Sequence, residues 1–283
     1  MDYPNYTDLL LEQSGPVLKV TVNRPEVLNA QSRIMREEFD DALNRAVDDE
    51  SVRVIVIAGA GRHFSAGHDL GSPRELEDQK ARPYPPGYRG QYQRAWDLNV
   101  ENTLRWRDLP KPTIAQVQGY CIMGGFIIAS ACDLVVASDD AMFSDRTVRW
   151  NGAHVQYFSM PWEVGFRKTK ELLFTGDWLT AGEAWRLGFV NRVVPGDKLE
   201  EETMALAQRI ALNDPLALRM AKQSVNLAQD EAGYRASILS GFQAYMASVG
   251  YRRETGDEPG MSGTERARAR DARFEDNPSD RRS

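Results

Sequence analysis

The stretch "TIAQVQGYCIMGGFIIASACDLVVAS", residues 113–138, decides the fold. An apolar run reaches Gly119 and then the pair Gly124-Gly125. The chain beyond the pair is almost wholly apolar as far as Cys132, and "CDLVVAS" (132–138) reads as a strand again. Strand, glycine turn, buried helix and strand is the rhythm of a layered α/β core. "IVIAGAGRHFSAGHDL" (55–70) leaves a buried strand by the same kind of small-residue turn. "PVLKVTVNRP" (16–25) alternates and stops at a proline, which predicts a strand. "MREEFDDALNRAVDDE" (35–50) sets Met35, Phe39, Leu43 and Val47 four residues apart, the pattern of an amphipathic helix. Residues 91–107 predict another helix, which "LPKP" breaks, and "RPYPPGYRG" (82–90) is too proline-rich for a regular element and reads as a mobile loop.

After "TAGEAWRLGFVNRVV" (180–194) the strand signal fades and long helical stretches take over. The expected organisation is an α/β core over 1–199, a helical C-terminal region over 200–250, and a tail over 251–283 dense in charge of both signs. Such a tail buries little by itself.

Composition narrows the function. With 283 residues and 42% apolar side chains the chain can bury a substantial core, and its net charge of −6 argues against a nucleic-acid binder. No signal peptide and no run long enough to span a membrane is visible, so a cytoplasmic protein is expected. Cys121 and Cys132 sit in apolar sequence and read as buried thiols. Three scattered histidines make no metal-ligand set, and no G-x-x-x-x-G-K-[ST] or G-x-G-x-x-G loop occurs. No separate cofactor is expected.

The two glycine turns carry the chemistry. Ala66-Gly67 and Gly124-Gly125 lack bulk, so a ligand can approach the backbone closely. Gly124 opens a helix, whose first N–H groups lack intrahelical acceptors and carry partial positive charge. Two converging N–H groups suit a reaction through an enolate or a tetrahedral oxyanion, where one donor is worth about 3–4 kcal/mol of barrier. Each turn alone is also what any α/β protein uses to leave a strand.

Taken in order, "VNRPEVLNA" (22–30), "HFSAGHDL" (63–70), "DLPKPTIAQVQGYCIMGGFIIASACDLVVAS" (108–138) and "FTGDWLTAGEAWRLGFVNRVVP" (174–195) resemble the enoyl-CoA hydratase/isomerase family, the crotonase superfamily. The resemblance runs over roughly residues 8–225. It implies a spiral of βαβ turns with a helical C-terminal region used in trimerisation, a homotrimer or dimer of trimers, and an acyl-CoA thioester as substrate. By position it implies that Ala66 and Gly124 supply the two oxyanion N–H groups. Ala66, Gly67, His68, Asp69 and Leu70 would contact coenzyme A, and Ala30 falls in the other coenzyme-contacting loop. Asp69 is equally suited to tying its own loop.

The pattern then breaks. Family hydratases carry two glutamates. Ile127 stands at the first position and Thr147, in "FSDRT" (143–147), at the second. Isoleucine transfers no proton, and a threonine hydroxyl is a poor acid or base near neutral pH. Asp145 and His154 are the tentative replacements. On one helix nine residues would put them on opposite faces, so they meet only if Asn151-Gly152 breaks the segment. Their alternatives are a surface ion pair for Asp145 and a structural role for His154. Trp150, Tyr157, Phe158 and Trp162 could wall a broad acyl pocket or fill the core. His63, Asp97, Glu101 and Glu163 are looser candidates. Three functions follow: a hydratase-like lyase without the usual glutamates, a hydrolase or ring-cleaving enzyme using Asp145 and His154, and an acyl-CoA-binding protein without catalysis.

Overall fold

A computed structural model describes residues 3–254, together with 265, 269 and 272. The chain opens with the hairpin β1 (Leu9–Ser14) and β2 (Val17–Val22), then α1 (Arg33–Asp48) and β3 (Val54–Gly59). Helices α2 (Pro73–Ala81), α3 (Gly87–Trp96) and α4 (Asn102–Arg107) follow, with a π-helical turn, Asp97–Glu101, joining the last two. Next come β4 (Thr113–Val117), β5 (Tyr120–Ile122), α5 (Gly124–Ala131), β6 (Leu134–Ser138) and β7 (Met142–Ser144). The remainder is α6 (Met160–Val164), α7 (Phe166–Thr175), β8 (Leu179–Thr180), α8 (Ala181–Leu187), β9 (Arg192–Val194), α9 (Leu199–Ala211), α10 (Pro215–Glu231) and α11 (Tyr234–Glu254).

The main sheet runs β1-β2-β3-β4-β6-β9, and only the β1–β2 pairing is antiparallel. A smaller sheet, β5-β7-β8, lies beside it. From β4 onward the chain visits the main sheet, then the smaller one, then a helix (β4-β5-α5, then β6-β7-α6), which gives the expected spiral. β3 is buried at all six positions because both faces of the sheet are covered. On one face Met35, Phe39 and Leu43 of α1 pack with Leu18, Val20 and Ile55. Replacing Phe39, with 0% exposure, by alanine removes about 3–5 kcal/mol. α1 begins where the Ser32 hydroxyl accepts the Met35 N–H at 3.1 Å.

The expected boundary near residue 199 needs correcting. α9 begins there, but it belongs to the core: Leu199, Ala207 and Ala211 cover the second face of the sheet against Val17, Val54, Val56, Ile114 and Val136. α11 also belongs to the core, because Ile238, Phe242 and Met246 pack with Met123, Ile127 and Tyr157. Of the three late helices only α10 buries no side chain. Most of the 251–283 tail lies outside the described residues. The proline-rich stretch is shorter than expected, since α3 begins at Gly87 within it.

Candidate active site

The turn at Gly124 is built under strain. Met123, the residue before α5, is held at φ 50°, ψ −107°, a conformation that costs a non-glycine residue roughly 1–3 kcal/mol. It is anchored by its N–H to the Ser144 carbonyl at 2.9 Å. The first intrahelical bond of α5 comes from Ile127, whose N–H reaches the Met123 carbonyl at 3.0 Å. The Gly124 N–H has no acceptor among the described residues. A Cβ on Gly124 would lie 2.7 Å from Gln31 Oε1 and 3.0 Å from the His68 ring, so only glycine fits.

The facing loop, 65–70, is held by strand-like pairing. Gln31 donates its N–H to the Gly67 carbonyl at 2.8 Å, and Asp69 donates to the Gln31 carbonyl at 3.0 Å. This pairing corrects one expectation. The Ala66 N–H is already committed to the Leu28 carbonyl at 2.9 Å, and the Gly67 N–H to Ser65 Oγ at 3.2 Å. The loop amides without an acceptor among the described residues are those of His68 and Leu70, and of the two residues it is His68 that lies against Gly124. Asp69 ties the loop: its carboxylate accepts from Arg24 (3.0 Å), Gly71 N–H (3.1 Å), Ser72 N–H (2.7 Å) and the Ser72 hydroxyl (2.7 Å). Burial alone would raise its pKa, but these bonds outweigh burial and leave it lowered. The Ala30 carbonyl accepts from Arg24, which joins the two expected coenzyme loops.

His68, Asp69 and the exposed Leu70 line a cavity of about 380 Å³, and Gln31, Met123, Thr147 and Trp150 line it too. The His68 ring meets Gln156 Oε1 through Nε2 at 2.9 Å, and Gln156 Nε2 donates to the Tyr245 hydroxyl at 3.1 Å. With an oxygen facing Nε2, that nitrogen carries the proton and Nδ1 keeps its lone pair. Desolvation, aided by the Arg36 charge, lowers the His68 pKa to about 3, so the ring is neutral.

Asp145 and His154 are corrected as well. The segment does break, because Asn151 takes a left-handed conformation (φ 59°) after the 3-10 turn Thr147–Trp150. Yet Asp145 faces its own loop. Its Oδ1 accepts the Thr147 N–H (3.0 Å) and hydroxyl (2.5 Å), and its Oδ2 accepts the Val155 N–H (2.9 Å). His154 stacks on Phe158 at 3.9 Å, with Nδ1 2.8 Å from the Val155 carbonyl. Neither side chain lines the cavity. Nor do Asp97, Glu101 and Glu163, although burial pushes the Glu163 pKa up to about 8. Of the four aromatic candidates only Trp150 lines the cavity. Tyr157 bonds the Tyr234 hydroxyl at 3.0 Å, and Trp162 donates to Ser237 Oγ at 2.7 Å. His63 stacks on Tyr120 and accepts its N–H at 3.0 Å.

Sequence reasoning missed Arg36, Gln31, Asn99, Gln156 and Tyr245, all on the cavity wall. Arg36 and Asn99 lie on helices where a polar residue normally faces solvent, and no motif marks them. No group of three His, Cys, Asp or Glu able to hold a metal occurs among the described residues, and none of their helices is long and apolar enough to cross a membrane. Cys121 is buried and Cys132 half-buried, and desolvation pushes both thiols up.

Residues 12–247 match the family model described as enoyl-CoA hydratase/isomerase. The chain is 41% identical over 243 residues to EchA13 of Mycobacterium tuberculosis, covering 82% of this chain and 76% of that protein. The crystal structure of a probable enoyl-CoA hydratase from Mycobacterium smegmatis matches with a TM-score of 0.80 at 42% identity, over 86% of this chain and 95% of that one. An enoyl-CoA hydratase/isomerase from Xanthobacter autotrophicus Py2 matches with a TM-score of 0.81 at 31% identity, over 95% and 99%.

Proposed function

The chain belongs to the enoyl-CoA hydratase/isomerase family, and on that basis we propose that it is an acyl-CoA-binding enzyme that stabilises a thioester enolate between two backbone amides. The amides are those of Gly124 and His68. The observation that carries this reading is the uncommitted Gly124 N–H at the start of α5, packed against His68 beside the cavity. Hydrogen bonds from fixed amides strengthen as charge grows on the thioester oxygen, which lowers the barrier to breaking or making the bond at the α-carbon.

The reaction is hydratase-like lyase chemistry. The cavity wall offers no free carboxylate among the described residues, because Asp69 is held by Arg24 and Ser72. The water and proton are therefore handled by neutral groups, with the Thr147 hydroxyl and His68 Nδ1 as the side chains that hold them. Coenzyme A enters as part of the substrate, with no separate cofactor. The working form is a cytoplasmic homotrimer or dimer of trimers.

The same missing carboxylate favours a second reading, a binding protein without turnover. Hydration of crotonyl-CoA, followed by loss of the conjugated enoyl absorbance, separates the two. Turnover supports the enzyme. If crotonyl-CoA and a panel of enoyl- and β-ketoacyl-CoA thioesters bind without reacting, the binding protein stands. If none binds, both readings fail.

A further inference from the structure

α1 buries an arginine where its neighbours bury methionine and phenylalanine. Arg36 is 2% exposed, yet its side chain forms part of the cavity wall. Its Nε donates to the Leu98 carbonyl, Nη1 to Gln31 Oε1 at 2.5 Å and Nη2 to Thr103 Oγ1 at 3.4 Å. Its guanidinium lies over the Trp106 ring at 4.8 Å. All three acceptors are neutral, and two of the five guanidinium N–H groups have no acceptor among the described residues. Asp40, the carboxylate whose charge acts on it without contact, is occupied by Arg105 and Trp106 Nε1 at 2.8 and 2.9 Å. Arg33 and Arg94 on the wall are paired, with Asp78 at 2.9 Å and Glu75 at 2.6 Å. Arg252, the fourth arginine there, is only half-buried, so water can solvate its charge. A buried cation without a contacting counter-ion is costly and needs one from elsewhere.

The surroundings point the same way. The π-helical turn Asp97–Glu101 supplies the Leu98 carbonyl to Arg36, and such turns gather at functional sites. Asn99, in the same turn, lines the cavity at 6% exposure with its Oδ1 unpartnered. Gln31 alone separates the guanidinium from Gly124. The cation therefore lies within a short chain's reach of the thioester site, deeper than the half-exposed Arg94.

We propose that Arg36 makes this cavity selective for short acyl groups that end in a carboxylate. The guanidinium fork takes the carboxylate oxygens, and the carboxylate supplies the missing negative charge, while Asn99 bonds a polar substituent on the same chain. This rests on the acyl-CoA reading above.

Binding of succinyl-CoA and butyryl-CoA to the full chain, by calorimetry, tests it. The two probes share a chain length and differ only in a terminal carboxylate against a methyl. Succinyl-CoA is expected to bind at least about tenfold more tightly, and R36M to abolish that preference. R36K keeps the charge without the fork and is expected to retain part of it. Equal or tighter binding of butyryl-CoA by the unmodified protein overturns the inference alone, as does a preference that survives R36M. If neither thioester binds, the acyl-CoA reading falls and this inference falls with it. Should R36M fail to fold, the comparison on the unmodified protein decides.

Discussion

Gly124 has no room for a single methyl group. Gln31 Oε1, which a Cβ would approach at 2.7 Å, is itself held by Arg36, so it cannot swing away cheaply. G124A is therefore expected to lower kcat/KM by roughly a hundredfold or more, the effect of displacing one oxyanion donor, with the fold retained by circular dichroism. His68 gives a second prediction at this scale. Its folded pKa, about 3, lies below the ordinary value of 6.5, so between those pH values the unfolded chain binds a proton that the native ring refuses. Stability then falls as pH drops from 6.5 towards 3. In urea titrations H68Q should show a shallower loss over that window than the unmodified protein. An equal loss would mean that His68 is not the buried neutral ring described here. Gly124 was legible in the sequence because a glycine pair after a strand is a local signal. The Ala66 assignment went astray because the acceptor that commits its N–H, the Leu28 carbonyl, comes from a turn far earlier in the chain.

The segment from β7 to α6 shows what an element can hide. Sequence placed Asp145 and His154 near the pocket and recognised that Asn151-Gly152 could fold the segment back, as it does. Which way the carboxylate faces depends on the Thr147 and Val155 amides, and no spacing rule reports that. Asp145 clasps the loop that presents Thr147 and Trp150 to the cavity. D145N puts an NH2 group against a donor and should cost about 1–3 kcal/mol of stability, read from a denaturant midpoint, with activity falling because the wall shifts. H154A should leave kcat close to that of the unmodified enzyme, since the ring packs on Phe158. A H154A variant that folds but is inactive would return His154 to the catalytic list. The π-helical turn was equally invisible. Residues 91–107 read as one helix, and the extra residue that widens a turn leaves no mark in apolar periodicity.

At the scale of the molecule the α/β spiral was the easiest part to read, because buried strands and glycine turns are written locally. The small sheet β5-β7-β8 was missed, since strands of two or three residues carry too little pattern to register. The helical C-terminal region was read as an appendage, whereas α9 and α11 complete the core and α11 also closes the cavity wall. α10 buries no side chain, and Leu216, Met220 and Leu227 on it are 58–62% exposed. An amphipathic helix left this open is expected to be covered by another copy of the chain. Light scattering should therefore report a trimer or hexamer, and M220E should shift it to smaller species. A monomeric unmodified protein would contradict the assembly. If two backbone amides polarise a thioester carbonyl, the carbonyl bond of the bound substrate is weakened. Difference infrared spectroscopy of carbonyl-labelled acyl-CoA bound to the protein measures that polarisation directly. The carbonyl stretch is expected at clearly lower frequency than in free solution, with the shift reduced in G124A. A bound carbonyl that vibrates as it does in water would contradict it.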